Sequence, residues 1–228
     1  MSSTTQTPLR IESKWYGYDN ARMEIDLAIP VLSEWLSPEN LRLAVGYAAD
    51  QFIKAMADAK SRHTFGCEFC GKPARENYLN IASYLHLPPK GTEWNGHPSS
   101  GPFILILVHT VCKMSGECGN EAKKLSSELA QDTGTPETHI PEKNPVDETI
   151  YPLFGSCANC KTDDTAKKTL SVCVKCKTAQ YCGKDCQRAD WPRHKESCKW
   201  VIGSRWFNEN GGELVYKDNP DRILMPKA

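Results

Sequence analysis

Nowhere in the 228 residues does an uninterrupted apolar run exceed that from Phe103 to Val108. A helix that crosses a bilayer needs ~20 predominantly apolar residues, so no membrane span is expected. Charge of one sign is also missing. Lys and Arg number 28 and Asp and Glu number 28, which removes the bulk basic field that most nucleic-acid binders carry. Residues 1–20 hold neither a basic start nor an apolar h-region, so no secretory signal is expected and the expected setting is intracellular, in nucleus or cytoplasm.

Cysteine is abundant instead. Eleven cysteines, an odd number, in a chain without a secretory signal argue against a disulfide framework and for metal ligation. Metal-bound cysteines are thiolates, so eleven of them against three zinc ions turn the formal charge of +0 into about −5. A mildly acidic holoprotein follows.

The length suits one modest domain plus a small one. Residues 22–36 are apolar but mixed in period around Pro30, and helix is the expectation. Ser37 suits an N-cap, Pro38 a first helical position and Glu39 the positive end of the helix dipole, so a helix should run to about residue 59. Leu41, Val45, Ala48, Phe52 and Met56 fall on one stripe of it, which reads as a packing face. A short helix is expected over 77–87, ended by Pro88 and Pro89, and a loop over 90–102. The segment 103–111 has the profile of a buried strand, and helix returns over 121–131. Pro136, Pro141, Pro145 and Pro152 mark an extended linker. The fold class expected is a small, metal-stabilised α+β protein. A mostly helical N-terminal domain (1–131) with a short strand and a zinc site is followed by a linker (132–156), a metal-binding module (157–198) and a tail (199–228).

In that module the ligand-capable residues form four pairs: Cys157-x2-Cys160, Cys173-x2-Cys176, Cys182-x3-Cys186 and His194-x3-Cys198. Eight ligands fill two tetrahedral sites, while the spacing leaves open whether neighbouring or alternate pairs combine. A catalytic zinc keeps one position open for water, so two complete sets of four read as structural zinc. A redox reading of Cys-x2-Cys requires a βαβ context and a depressed thiol pKa, and three further ligand pairs nearby argue against it.

Four cysteines remain, as Cys67-x2-Cys70 and Cys112-x5-Cys118. They can complete a third tetrahedral zinc site, with Gly66 and Gly71 relaxing the turn and the 103–111 strand delivering Cys112. His109 is a rival ligand, but on a strand it faces away from Cys112, so the four cysteines are preferred. Buried free thiols are the alternative. His63, His86, His97 and His139 have no ligand-like spacing and are expected to face solvent or to bond locally.

The run that carries Cys176, Tyr181, Cys182, Cys186, Gln187, Trp191, His194 and Cys198 resembles the MYND-type zinc finger. All eight ligand positions from Cys157 to Cys198 match, as do the non-ligand Tyr181, Gln187 and Trp191. The resemblance implies an interleaved topology, with Cys157, Cys160, Cys182 and Cys186 on one zinc and Cys173, Cys176, His194 and Cys198 on the other. It also implies that Gln187 and Trp191 line a shallow groove for proline-rich peptides, segments that have already lost much of their backbone freedom. Val174 stands where some family members carry a small polar residue near that groove.

The function expected on this resemblance is a non-enzymatic zinc-binding adaptor that holds a proline-rich segment of a partner protein, in settings that include transcriptional regulation. Such fingers also occur inserted in SET-type lysine methyltransferases, so an accessory or remnant of such an enzyme is one alternative. The sequence has no Asn-His-x-Cys segment and no post-SET cysteine cluster, and no catalysis is expected. A nucleic-acid-binding zinc protein is the other alternative. Counting thiolates and zinc, however, the finger's net charge is only about +1.

Overall fold

The computed structural model describes residues 5–133, 152–207 and 213–217. Most of the expected linker, and His139, lie outside them. Strands β1 (Gln6–Tyr16) and β2 (Arg22–Leu32) are followed by helix α1 (Leu41–Arg62), strand β3 (Glu76–Ser83), the small hairpin β4 (Glu93–Trp94) and β5 (His97–Pro98), strand β6 (Phe103–Val111) and helix α2 (Glu117–Thr133). Then come the single turn α3 (Asp163–Ala166), the short strands β7 (Ser171–Val172) and β8 (Gln180–Tyr181), helix α4 (Lys184–Trp200), and strands β9 (Val201–Phe207) and β10 (Glu213–Lys217).

The frame is a six-stranded mixed sheet in the order β10-β9-β2-β1-β6-β3. The expectation of a mostly helical N-terminal domain is therefore wrong, and the error has a physical source. Residues 22–32 look mixed in a helical frame, yet Met23, Ile25, Leu27, Ile29 and Val31 alternate strictly and are all buried, the period of a strand. In β1, Leu9, Ile11, Ser13 and Trp15 alternate in the same way within a polar segment. β1 and β2 pair antiparallel along their whole length, from Gln6 against Leu32 to Tyr16 against Arg22. Pro8 faces Pro30 in this ribbon, beyond the reach of β6, which pairs from Arg10, and of β9, which pairs up to Leu27. An outward N–H at either position would meet no strand, so proline is tolerated there.

The segment expected as a short helix over 77–87 is largely strand β3, which pairs antiparallel with β6 from Glu76 against Val111 to Ser83 against Ile104. Leu79 and Ile81 are its buried pair. A β-branched strand at its side overrides a weak local preference. β6 runs where it was expected, parallel to β1 on one side and antiparallel to β3 on the other.

Helix α1 begins at Leu41, with Asn40 rather than Ser37 preceding it. Ala44, Ala48, Phe52, Ala55 and Ala59 are buried along its inner face, and Val45 and Met56 pack at the margin. The small residues let the helix approach the sheet closely. Trp15 is fully buried with its ring 6.2 Å from Phe52 and 6.3 Å from Phe154. Its indole N–H donates to Ser13 Oγ (3.1 Å), which donates in turn to the Ile25 carbonyl (2.9 Å), so no polar group of this pair is stranded.

Two features tie residues 157–198 to this frame. Helix α4 passes into β9 without a loop, and β9 pairs with β2. Cys157, Cys173, Cys176, Ala179, Tyr181 and Cys198 also belong to the same apolar cluster as the sheet and α1. Cys67, Val111 and Ala122 form a separate, much smaller cluster at the sheet end where α2 starts. Among the described residues no helix is long and apolar enough to cross a membrane.

Candidate metal centres

Three groups of four ligand-capable side chains converge in the structure, with the ligand atoms of each within 4.8 Å of one another: Cys157, Cys160, Cys182 and Cys186; Cys173, Cys176, His194 and Cys198; Cys67, Cys70, Cys112 and Cys118. The pairs 157–198 thus combine alternately, in the interleaved sense. A zinc ion with bonds of ~2.3 Å to sulfur spaces its tetrahedral sulfurs by about 3.8 Å, against about 2.05 Å within a disulfide. The sulfurs of Cys160 and Cys182 are 3.8 Å apart, those of Cys160 and Cys186 3.6 Å, and those of Cys173 and Cys198 3.9 Å. Donor type, number and spacing all fit zinc.

Local backbone geometry presents the ligands. After each Cys-x2-Cys pair of the finger the chain turns through a positive φ, 53° at Lys161 and 64° at Lys177, and the N–H of that residue donates back to the carbonyl of the first cysteine, at 2.9 Å and 3.0 Å. Further amides point at sulfur: the N–H of Cys182, just after β8, lies 3.4 Å from Cys157 Sγ, and that of Thr178 lies 3.4 Å from Cys176 Sγ. Burial pushes the Cys157 thiol up, but amides of Cys160, Cys182 and Asn159 outweigh it and bring the thiol down to about 7, towards the thiolate that binds metal. His194 and Cys198 lie one turn apart on α4, so both reach the same point.

The second finger group is fully buried, and its histidine is fixed from outside the finger. His194 Nδ1 is 2.8 Å from Oδ2 of Asp58, a residue of α1 that is only 2% exposed. A carboxylate accepts, so Nδ1 carries the proton and Nε2, 3.7 Å from Cys176 Sγ, keeps its lone pair for a metal. Burial presses the His194 pKa down, while hydrogen bonds to Asp58 and Cys173 outweigh it and raise it to about 9, so a metal at Nε2 takes the place of a proton there. Asp58 also accepts from Arg193 Nη2 (2.7 Å) and from the Ser197 hydroxyl. Tyr181, with its hydroxyl 2.9 Å from Asp190 Oδ2, completes the network, and Arg193 joins Asp190 to Asp58. Sequence reasoning missed Asp58. The signal was there: an acidic residue between Ala55 and Ala59 on the face of α1 that also buries Ala44, Ala48 and Phe52.

Gln187 and Trp191 lie one turn apart on α4, with Gln187 half-buried. Trp191 is 44% exposed, and its ring stands edge-on to His194 at 5.9 Å. Val174, between the cysteines of the same group, is 80% exposed. Tyr181, in contrast, is buried.

Residues 157–198 match the MYND finger family. Among curated proteins, N-lysine methyltransferase SMYD2-A of Danio rerio is 47% identical over 69 residues, 29% of this chain and 15% of that protein. The SMYD2 enzyme of Homo sapiens is 44% identical over 50 residues, 21% of this chain and 12% of its own length. An F-box protein of Arabidopsis thaliana is 30% identical over 126 residues, 48% of this chain and 32% of that protein. The chain thus spans well under a third of the length of the methyltransferases it matches. No solved structure is a significant match. The common denominator of ligand spacing, interleaved geometry and family match is a single segment, and residues 157–198 are a MYND-type zinc finger.

Proposed function

We propose that this protein is a zinc-dependent interaction module whose finger holds an extended, proline-rich segment of an intracellular partner. Cys157, Cys160, Cys182 and Cys186 bind one zinc of the finger, and Cys173, Cys176, His194 and Cys198 bind the other. Four protein ligands close each site, so the metal organises the segment and performs no chemistry. The likeness to methyltransferases covers only 50 to 69 residues, under a third of this chain, and activity does not travel with a shared module.

The observation that carries the reading is Trp191, a large aromatic side chain left in solvent while its edge is braced against a ligand histidine. A braced indole offers apolar area at little entropic cost, and proline rings pack on such a face. Gln187, one turn away, supplies an amide for a peptide carbonyl. The surface is small, so affinity is modest and gains from avidity.

The test is titration of the full chain with proline-rich peptides, alongside Trp191→Ala and Gln187→Ala. Both variants keep two zinc ions in the finger, and Trp191→Ala weakens peptide binding at least tenfold. Loss of zinc in either variant, or unchanged binding in both, overturns the proposal.

A further inference from the structure

We propose that Cys67, Cys70, Cys112 and Cys118 hold a structural zinc ion outside the finger, and that this ion, more than apolar packing, fastens α2 to the sheet. The four residues come from three places: the loop after α1, the end of β6 and the first turn of α2. Their sulfurs lie within 4.8 Å of one another, and those of Cys70 and Cys112 are 3.8 Å apart, the tetrahedral edge of about 3.8 Å for a zinc thiolate and far from a disulfide bond.

An internal comparison strengthens the case. The turn after Cys67-x2-Cys70 repeats both turns of the finger: Gly71 has φ 73°, and its N–H donates to the Cys67 carbonyl at 2.9 Å. Lys161 and Lys177 do the same, at 53° and 64°, with 2.9 Å and 3.0 Å. The finger carries lysine at this position. Here a side chain would meet the ring of Tyr18 at 3.3 Å, and glycine removes both that contact and the strain of positive φ. The Cys67 N–H donates to the Lys72 carbonyl at 2.6 Å, and the Glu68 N–H to the Thr110 carbonyl at 2.9 Å, so the turn is pinned to β6.

The rival ligand His109 does not join the group of four converging sulfurs. Its Nδ1 is 2.8 Å from Glu68 Oε2, and its ring stacks on Tyr16 at 5.8 Å. Local packing is also meagre. Among the described residues only Cys67, Val111 and Ala122 are buried in this cluster, with Phe69, Tyr78, Cys112, Met114 and Cys118 at its margin. An apolar cluster so small, in which ligands are a large share, does not hold a helix by burial alone. Four thiolates on one zinc leave a charge of −2, and Lys72, Arg75 and Lys113 line the recess beside Cys112.

Native mass spectrometry of the full chain tests the proposal. Three zinc ions are expected in the wild type and two in Cys70→Ser/Cys118→Ser. Two ions in the wild type, or three in both proteins, overturn it. Because a serine variant can unfold, the wild-type chain is also loaded with cadmium-113. Three resonances are expected, two in the all-thiolate range and one shifted by an imidazole, and a single all-thiolate resonance refutes the site. The fastening role is read by hydrogen exchange in the serine variant: amides of α2 exchange at least tenfold faster while those of α4 do not change. Equal protection of α2 in both proteins removes that role. The finger keeps its own two ions in every supporting outcome, so this result is separable from the peptide-binding reading.

Discussion

Asp58 and His194 stand 136 residues apart in the chain and 2.8 Å apart in the fold, carboxylate oxygen against imidazole N–H. The group that orients His194 is thus supplied by helix α1, outside residues 157–198. A carboxylate in this position fixes the ring, selects the tautomer and raises the basicity of the ligating nitrogen.

Replacing Asp58 by Asn should therefore weaken one zinc site and spare the other. Loss of such an orienting partner typically lowers metal affinity ~10- to 100-fold. Competition with a chromogenic chelator should show one site of the finger weakened by about that factor. The Cys157, Cys160, Cys182 and Cys186 site should be unchanged. Equal affinity of both sites in variant and wild type would mean that four ligands alone orient His194.

Gly155 occupies φ 84° immediately before the finger, where its N–H donates to the Lys60 carbonyl at 3.0 Å and its carbonyl accepts from Gln180 Nε2 at 2.9 Å. A methyl group there would lie 2.9 Å from the Thr64 backbone nitrogen. Gly155→Ala combines a left-handed conformation with a backbone clash, and a loss of about 2 kcal/mol or more is expected. Denaturant unfolding of the zinc-loaded protein measures it. A change below ~0.5 kcal/mol would place the segment in a different path.

How legible all this was depended on the kind of signal. The Cys-x2-Cys pairs and the His194 to Cys198 turn are local, and local spacing alone groups them into pairs. Strand β6 was legible because a short β-branched and apolar run bounded by Pro102 and Cys112 has the profile of a buried strand. β1 was not, because Leu9, Ile11 and Trp15 alternate with charged and polar residues whose partners are in β2 and β6. β9 follows α4 directly and has meaning only as a partner of β2. Asp58 was hidden for the same reason: its role is set by a residue 136 positions away.

His63 gives the fold a pH dependence of defined sign. It stacks on Trp206 at 3.9 Å, and burial, aided by the charge of Arg62, pushes its imidazole down from 6.5 to about 3. Between those values the unfolded chain binds the proton and the folded chain does not. The contribution is whole above pH 6.5 and is lost as pH falls towards 3. At pH 5 the loss from this group is about 2 kcal/mol. Zinc ligands also protonate in acid, so the comparison is His63→Gln against wild type, both saturated with zinc. The variant should lose less stability from pH 7 to pH 5, and parallel curves would mean that His63 titrates normally in the fold.

Removal of zinc should act beyond the finger, because α4 runs directly into β9. Without metal, Cys157, Cys173, Cys176 and Cys198 become ordinary thiols in the apolar cluster that they share with Tyr181 and the sheet, and nothing else in residues 157–198 supplies enough burial to hold their turns. The sheet differs: Trp15, the five alternating apolar residues of β2 and the inner face of α1 pack without any metal. Hydrogen exchange after treatment of the full chain with a strong chelator should show amides of β8, α4 and β9 exchanging at least tenfold faster, while β1 and β2 stay protected along their shared ribbon. Protection of α4 that survives complete metal removal would mean that its packing on α1, with Asp58 bound to Arg193 and Ser197, suffices to order the segment, and the zinc-dependent account of the finger would fall.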